Sequence, residues 1–143
     1  MMLYLDTSAL VKLYVDEPKS DAVKNVVRQA DAVATSLLAY TEARAAFARC
    51  RWKGRFAPQV YRRIVGAFEE DWSRYVAIEV SDALVKAAGL LAESRALRGY
   101  DALHLASALS LQNRVPVSVS FMAFDRQLMT AAKLEGLSNA ADL

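Results

Sequence analysis

The opening stretch constrains this chain more than any other. Leu3, Tyr4 and Leu5 form an apolar run suited to a buried central strand, and the run ends directly on Asp6. Thr7 and Ser8 follow, with hydroxyls able to serve the free amides of a helix beginning there. A strand that turns at once into a helix is the first unit of an α/β sheet. A carboxylate just beyond that strand stands where open α/β sheets bind their ligands. Asp6 can hold a hard cation such as Mg2+ in that position, or it can simply cap the helix.

The remaining pattern supports the α/β reading. Leu10, Leu13 and Tyr14 share one helical face, and Pro18 disfavours helix just before it. A second helix is expected over 19–30, where Val23, Val26, Val27 and Ala30 recur at helical spacing. Ala32 to Thr35 reads as a second strand, after which Ser36 caps a helix over 37–53 that Gly54 ends. Pro58 suits the first turn of the next helix, along which Val60, Ile64, Phe68 and Trp72 recur every fourth position. These two helices are expected to form an antiparallel hairpin. A third strand is expected over 75–80, then a helix opened by Ser81 or Asp82 and running to Arg95. Gly99 reads as a break, and Asp101 as the start of a helix through Leu111. The last strand is expected over 115–121, with Pro116 restricting it to an edge or a late start. Asp125 opens the final helix, which Gly136 closes. Strands alternating with helices imply a central, mostly parallel sheet with helices on both faces, a three-layer α/β/α sandwich. Strand order does not follow from the pattern.

One domain spanning 1–143 suits this length, and 55% hydrophobic against 24% charged residues excludes a disordered chain. A single cysteine, Cys50, excludes an internal disulfide framework and a cysteine-rich zinc site. No apolar stretch is long enough to span a membrane, and Asp6 and Lys12 interrupt any signal-like run, so a cytoplasmic location is expected.

Four carboxylates stand out by position. Asp6 follows the first strand, Glu42 lies near the start of the helix after the second, Asp101 opens a helix, and Asp125 follows the last strand. In a parallel sheet the strand ends lie on one side, so at least three of these groups can converge. Two unit charges about 4 Å apart repel by roughly 4 kcal/mol at an effective dielectric near 20. Such a cluster raises its own pKa values unless a cation occupies it. A divalent-metal site is what makes the arrangement useful, since Mg2+ takes oxygen ligands and activates water against phosphoryl groups. Taken singly, Glu42 can be a solvated helix residue, and Asp101 and Asp125 can be caps. His104 is the only histidine, which disfavours a zinc hydrolase, and the apolar residues around it favour a packing or hydrogen-bonding role.

These segments together resemble the PIN-domain family, specifically its VapC-type toxin ribonucleases. Leu5-Asp6-Thr7-Ser8-Ala9-Leu10 resembles the family's opening motif, and Ser36 with Glu42 its second acidic segment. Tyr100-Asp101-Ala102-Leu103-His104-Leu105-Ala106 is the most specific match. Phe124-Asp125-Arg126-Gln127-Leu128, with Ala131, Ala132 and Gly136, resembles the closing segment. The likeness runs from Leu3 to about Leu137. It implies a compact α/β/α sandwich, cleavage of single-stranded RNA dependent on Mg2+ or Mn2+, a cognate antitoxin protein and a homodimer. Carried over by position, Asp6, Glu42 and Asp101 are the main acidic triad and Asp125 its fourth member, with Thr7 or Ser8 supporting Asp6. The chain departs from the pattern at Ala123, where the family often has a hydroxyl residue.

Residues 43–68 contain no Asp or Glu but carry Arg44, Arg49, Arg51, Lys53, Arg55, Arg62 and Arg63, interleaved with Phe47, Trp52, Phe56 and Tyr61. The charges suit phosphate contacts, and the aromatics are expected to be core. Two other readings of the whole chain compete. One is a non-catalytic RNA- or protein-binding module of the same fold. The other is an aspartyl-phosphate phosphatase, which requires a second Asp where Ser8 stands.

Overall fold

In the computed structural model, which describes residues 1–140, five strands form one sheet in the order β3-β2-β1-β4-β5. The last three positions of the expected domain lie outside the described residues. β1 is Met2–Leu5, β2 Ala32–Ser36, β3 Val76–Ile78, β4 Val119–Met122 and β5 Ser138–Asn139. Every pairing among them is parallel. The connecting helices are α1 Thr7–Val11, α2 Ser20–Gln29, α3 Ala39–Trp52, α4 Pro58–Trp72, α5 Asp82–Arg95, α6 Gly99–Arg114 and α7 Arg126–Leu134.

The central strand shows how alternation builds two cores. Leu3 and Leu5 face one side of the sheet and Tyr4 the other, and all three are wholly buried. Leu3 and Leu5 pack with residues of α1 to α4, including Leu10, Val23, Phe47 and Phe68. Tyr4 packs with residues of α5 to α7, including Leu84, Leu105 and Leu128, and with Phe121 of β4. Each such side chain contributes about 1.5–3 kcal/mol through removal from water. The helices therefore cover both faces, and the molecule is a three-layer α/β/α sandwich. No helix among the described residues is long and apolar enough to cross a membrane.

The α3–α4 hairpin is antiparallel, since Arg44 meets Glu69, Phe47 meets Phe68, and Arg51 lies over Tyr61. Gly54, with φ +74°, turns the chain out of α3, and Gly136, with φ +93°, does the same after α7. Both sit in the left-handed region that glycine enters without a Cβ clash.

Several boundaries differ from expectation for local reasons. α6 starts at Gly99, not at Asp101, because Gly99 adopts no positive φ and continues the helix; Arg98 is the N-cap residue. Asp101 is therefore in the first turn, where its charge suits the positive end of the helix. Ser36 ends β2, and its Oγ accepts from the Leu38 amide at 3.1 Å, so α3 begins later, at Ala39. Pro116 delays β4 to Val119 and does not push it to an edge: β4 lies between β1 and β5. β3 is shorter than the pattern suggests. β5, two polar residues long, has no counterpart in the sequence pattern.

Candidate active site

The strand order reverses between β1 and β4. From β1 the chain winds outward through β2 to β3, then returns to the other side of β1 through β4 to β5. The carboxyl ends of β1 and β4 border the crevice that such a reversal opens. Asp6 follows β1 and Asp125 lies beyond the end of β4.

Asp6 is the N-cap of α1 as well as the residue at the crevice. Its Oδ1 accepts from the Ala9 amide at 2.9 Å and from the Ser8 hydroxyl at 2.7 Å. Ser8 Oγ in turn accepts from the Phe124 amide at 3.3 Å, tying the loop after β4 to the loop after β1. A side chain from within the opening motif thus reaches the segment that carries Ala123. Asp6 is buried, and no lysine or arginine among the described residues forms an ion pair with it. Burial pushes its carboxyl above the ordinary aspartate value, with the charge of Asp101 adding to the rise, while His104, the Ala9 amide and Ser8 oppose it.

Glu42 lies in the first turn of α3. Its Oε1 accepts from Thr7 Oγ1 at 2.6 Å and lies 3.0 Å from His104 Nε2. Thr7 Oγ1 is also 3.1 Å from that nitrogen. His104 Nδ1 is 2.8 Å from the hydroxyl of Tyr4, whose ring stacks on Phe121 at 5.5 Å. Burial pushes Glu42 upward, but the hydrogen bonds from His104 and Thr7 and the imidazole charge together hold it below the ordinary glutamate value. Burial, more than repulsion among carboxylates, thus sets the direction at Asp6, while at Glu42 hydrogen bonding reverses it. Thr7 serves Glu42, leaving Ser8 as the hydroxyl that supports Asp6.

Arg98 joins the other two acidic residues. Its Nε is 3.1 Å from Asp101 Oδ2, and its second guanidinium arm is 3.3 Å from Asp125 Oδ2. Asp125 also caps α7, accepting from the Leu128 amide at 2.9 Å. These contacts link the four carboxylates across neighbouring elements. Asp6 feels Asp101 electrostatically, Asp101 and Asp125 share Arg98, and Glu42 is joined to the residue after Asp6 through Thr7. Arg98 had no signal in the sequence beyond standing three residues before Asp101. His104 has the hydrogen-bonding role its apolar setting suggested.

The donor set fits a hard divalent cation in kind, because every candidate atom is a carboxylate oxygen. Among the described residues, no group of three acidic, histidine or cysteine side chains stands close enough to hold an ion by itself. Mg2+ does not require one, since it keeps several waters and commonly takes only one or two carboxylates directly.

Of the aromatics interleaved with the basic run, Phe47 is wholly buried, as expected. Trp52 is not core: it is 79% exposed at the end of α3, with Arg51 over its ring at 5.2 Å. Helix α3 ends there, so Trp52 projects from the hairpin tip where no third element covers it. Arg49, Lys53, Arg62 and Arg63 are exposed and have no ion pair among the described residues.

The chain is an α/β protein with an all-parallel sheet between two helical layers, and a family model of the PIN domain matches residues 3–134. The chain belongs to that family. It is 33% identical over 135 residues to Ribonuclease VapC45 of Mycobacterium tuberculosis, covering 94% of this chain and 92% of the relative. Ribonuclease VapC49 of Mycobacterium tuberculosis matches to the same extent. The solved structure of FitAcB from Neisseria gonorrhoeae superposes with a TM-score of 0.67 at 16% identity, covering all of both chains, and supports the fold.

Proposed function

We propose that this chain is an endoribonuclease hydrolysing RNA phosphodiester bonds, the toxin component of a toxin–antitoxin pair. The observation that carries the chemistry is Asp6, a buried carboxylate at the sheet's switch point with no lysine or arginine paired to it among the described residues. The full-length likeness to proteins named ribonucleases supplies the reaction class. Asp6 and Asp101 would hold Mg2+ or Mn2+, with Glu42 and Asp125 at its borders. The cation supplies positive charge against the phosphoryl oxygens and an activated water. The protein's own part is positional. Ser8 and the Ala9 amide fix Asp6, and Thr7 with His104 fixes Glu42 in its ionised form, so the acidic edge is set before substrate arrives. Exposed arginines of α3 and α4 would meet the RNA backbone. A cognate antitoxin, homodimerisation and a cytoplasmic setting belong to the same reading, through the family likeness. The phosphatase alternative has no support at Ser8, whose hydroxyl donates to Asp6 where a general acid would be needed.

The test is cleavage of a panel of structured RNAs by the purified protein in Mg2+, Mn2+ or chelator, with metal binding followed separately by calorimetry. Cleavage and calorimetric binding are expected to disappear together in chelator, and Asp6→Asn is expected to lose about 100-fold or more in rate. Undiminished cleavage in chelator would remove the metal from the mechanism, and undiminished cleavage by Asp6→Asn would remove Asp6.

A further inference from the structure

Beside the acidic crevice a cavity of about 600 Å3 opens between α5 and the start of α6. Val85, Ala88, Gly89 and Ala92 line it from α5, and Gly99 and Tyr100 from α6. Glu42, Arg98 and Asp101 line it too, so it is continuous with the acidic cluster. Tyr100, next to Asp101, stays 63% exposed.

Nothing among the described residues of this chain requires glycine at position 89. It stands inside α5, where glycine is unfavourable, and its backbone is not in the left-handed region. A Cβ built on it meets nothing within 4 Å, so no neighbour excludes a side chain. The same holds at Gly99. Two positions bordering one cavity thus leave it open where almost any other residue would begin to fill it.

We propose that this cavity is a base subsite, receiving the unpaired nucleobase next to the phosphate at Asp6 and Asp101. The inference rests on the ribonuclease reading above. Shared walls carry it first: Asp101 and Tyr100 line the same cavity, so a nucleotide adjoining a phosphate at Asp101 has the cavity within reach. The chemistry agrees. Apolar walls with an exposed aromatic suit the face of a base, and Arg98 on the shared edge suits the flanking phosphate. Unpaired, splayed bases are what proteins read in single-stranded RNA. The volume lies within the range of small-ligand sites and admits a purine or a pyrimidine with its ribose.

The test uses the full chain, a single-stranded RNA that it cleaves, and copies of that RNA carrying one abasic nucleotide at successive positions around the cleaved bond. The parent is expected to lose about 5- to 150-fold in affinity at one abasic position adjoining the bond, the effect of one base–aromatic stack. Gly89→Leu fills the cavity while improving helix propensity. It is expected to unfold at the same or a higher temperature, to show a KM raised by a similar factor, and to ignore the abasic position. Gly66→Leu, on an exposed helical glycine of α4, reports the propensity gain alone. Tyr100→Ala is expected to raise KM, and Tyr100→Trp to restore it. If Gly89→Leu keeps the parent's KM and abasic sensitivity, the subsite is wrong. Should that variant fail to fold, an unchanged KM in Tyr100→Ala overturns it instead. A shift from dimer to monomer in Gly89→Leu with RNA binding intact would assign the cavity to a second copy of the chain and also overturn the proposal. If the parent cleaves no RNA at all, the ribonuclease reading fails and the subsite with it.

Discussion

Asp6 carries two duties that pull against each other. As a cap it is stabilising, since its Oδ1 satisfies the Ala9 amide. As a buried charge it is costly, and burial raises its pKa in the folded protein. A raised folded pKa means that the native state binds the proton more tightly than the unfolded chain. The stability gained from that proton is complete below the unfolded aspartate pKa and disappears as pH rises through the folded one. At pH 7 without metal, the charge on Asp6 therefore opposes folding. Asn keeps the shape and most of the capping. Urea unfolding in chelator at pH 7 is expected to show Asp6→Asn at least as stable as the parent, with the difference narrowing as pH falls into the acid range. A less stable variant at pH 7 would mean that Asp6 is only a cap. The position of Asp6 was legible in the sequence because strand, carboxylate and helix follow one another within a few residues. The setting of His104 was not, because its partners Tyr4, Thr7 and Glu42 lie 62 to 100 residues away along the chain.

Among the elements, those with an apolar period were legible: α2 and α4 stand where their spacing puts them, and α7 lies between Asp125 and Gly136, which mark its ends. Ends were less so, because they depend on backbone choices that composition leaves open. Gly99 begins α6 although glycine more often ends helices, and β5 forms because β4 offers it an edge, not because Ser138 and Asn139 favour a strand. The α3–α4 hairpin shows both sides of this. Its pairing followed from two adjoining helical runs, but the exposure of Trp52 depended on how far the hairpin extends beyond its neighbours. Arg49, Arg62 and Arg63 give the hairpin an exposed cationic surface. Replacing Arg49, Arg62 and Arg63 with alanine is expected to weaken RNA binding while leaving thermal stability nearly unchanged. Each RNA phosphate left without its arginine should reduce the slope of log affinity against log salt by about 0.7 for a single strand. Titrations at three or four salt concentrations check this. An unchanged slope would turn this surface towards another partner, and failure of the same variant to bind the antitoxin would identify that partner.

At the scale of the whole molecule, the reversal of strand order sets the loop that carries Asp125 beside the loop that carries Asp6. Parallel strands were evident from their alternation with helices, but which strand neighbours which is decided by crossovers that leave no local trace in composition. The order found puts β4 beside β1 and so brings Asp125 to the crevice of Asp6. It also brings Arg98, from the turn before α6, between Asp101 and Asp125. In metal-free protein this guanidinium offsets the repulsion of two carboxylates belonging to different elements. The pairing is weak, because Arg98 is 77% exposed and surface ion pairs contribute about 1 kcal/mol or less. A divalent cation at the same edge competes with Arg98 for those oxygens. Arg98→Gln is therefore expected to be slightly less stable than the parent in chelator, and to gain more from Mg2+, with tighter binding by calorimetry. Stabilisation by a ligand grows with its concentration relative to Kd, so a titration of Tm against Mg2+ resolves the two effects. An equal gain in both proteins would mean that Arg98 and the cation do not share ligands. A smaller gain in the variant would mean that Arg98 positions Asp101 and Asp125 for the metal instead of competing with it.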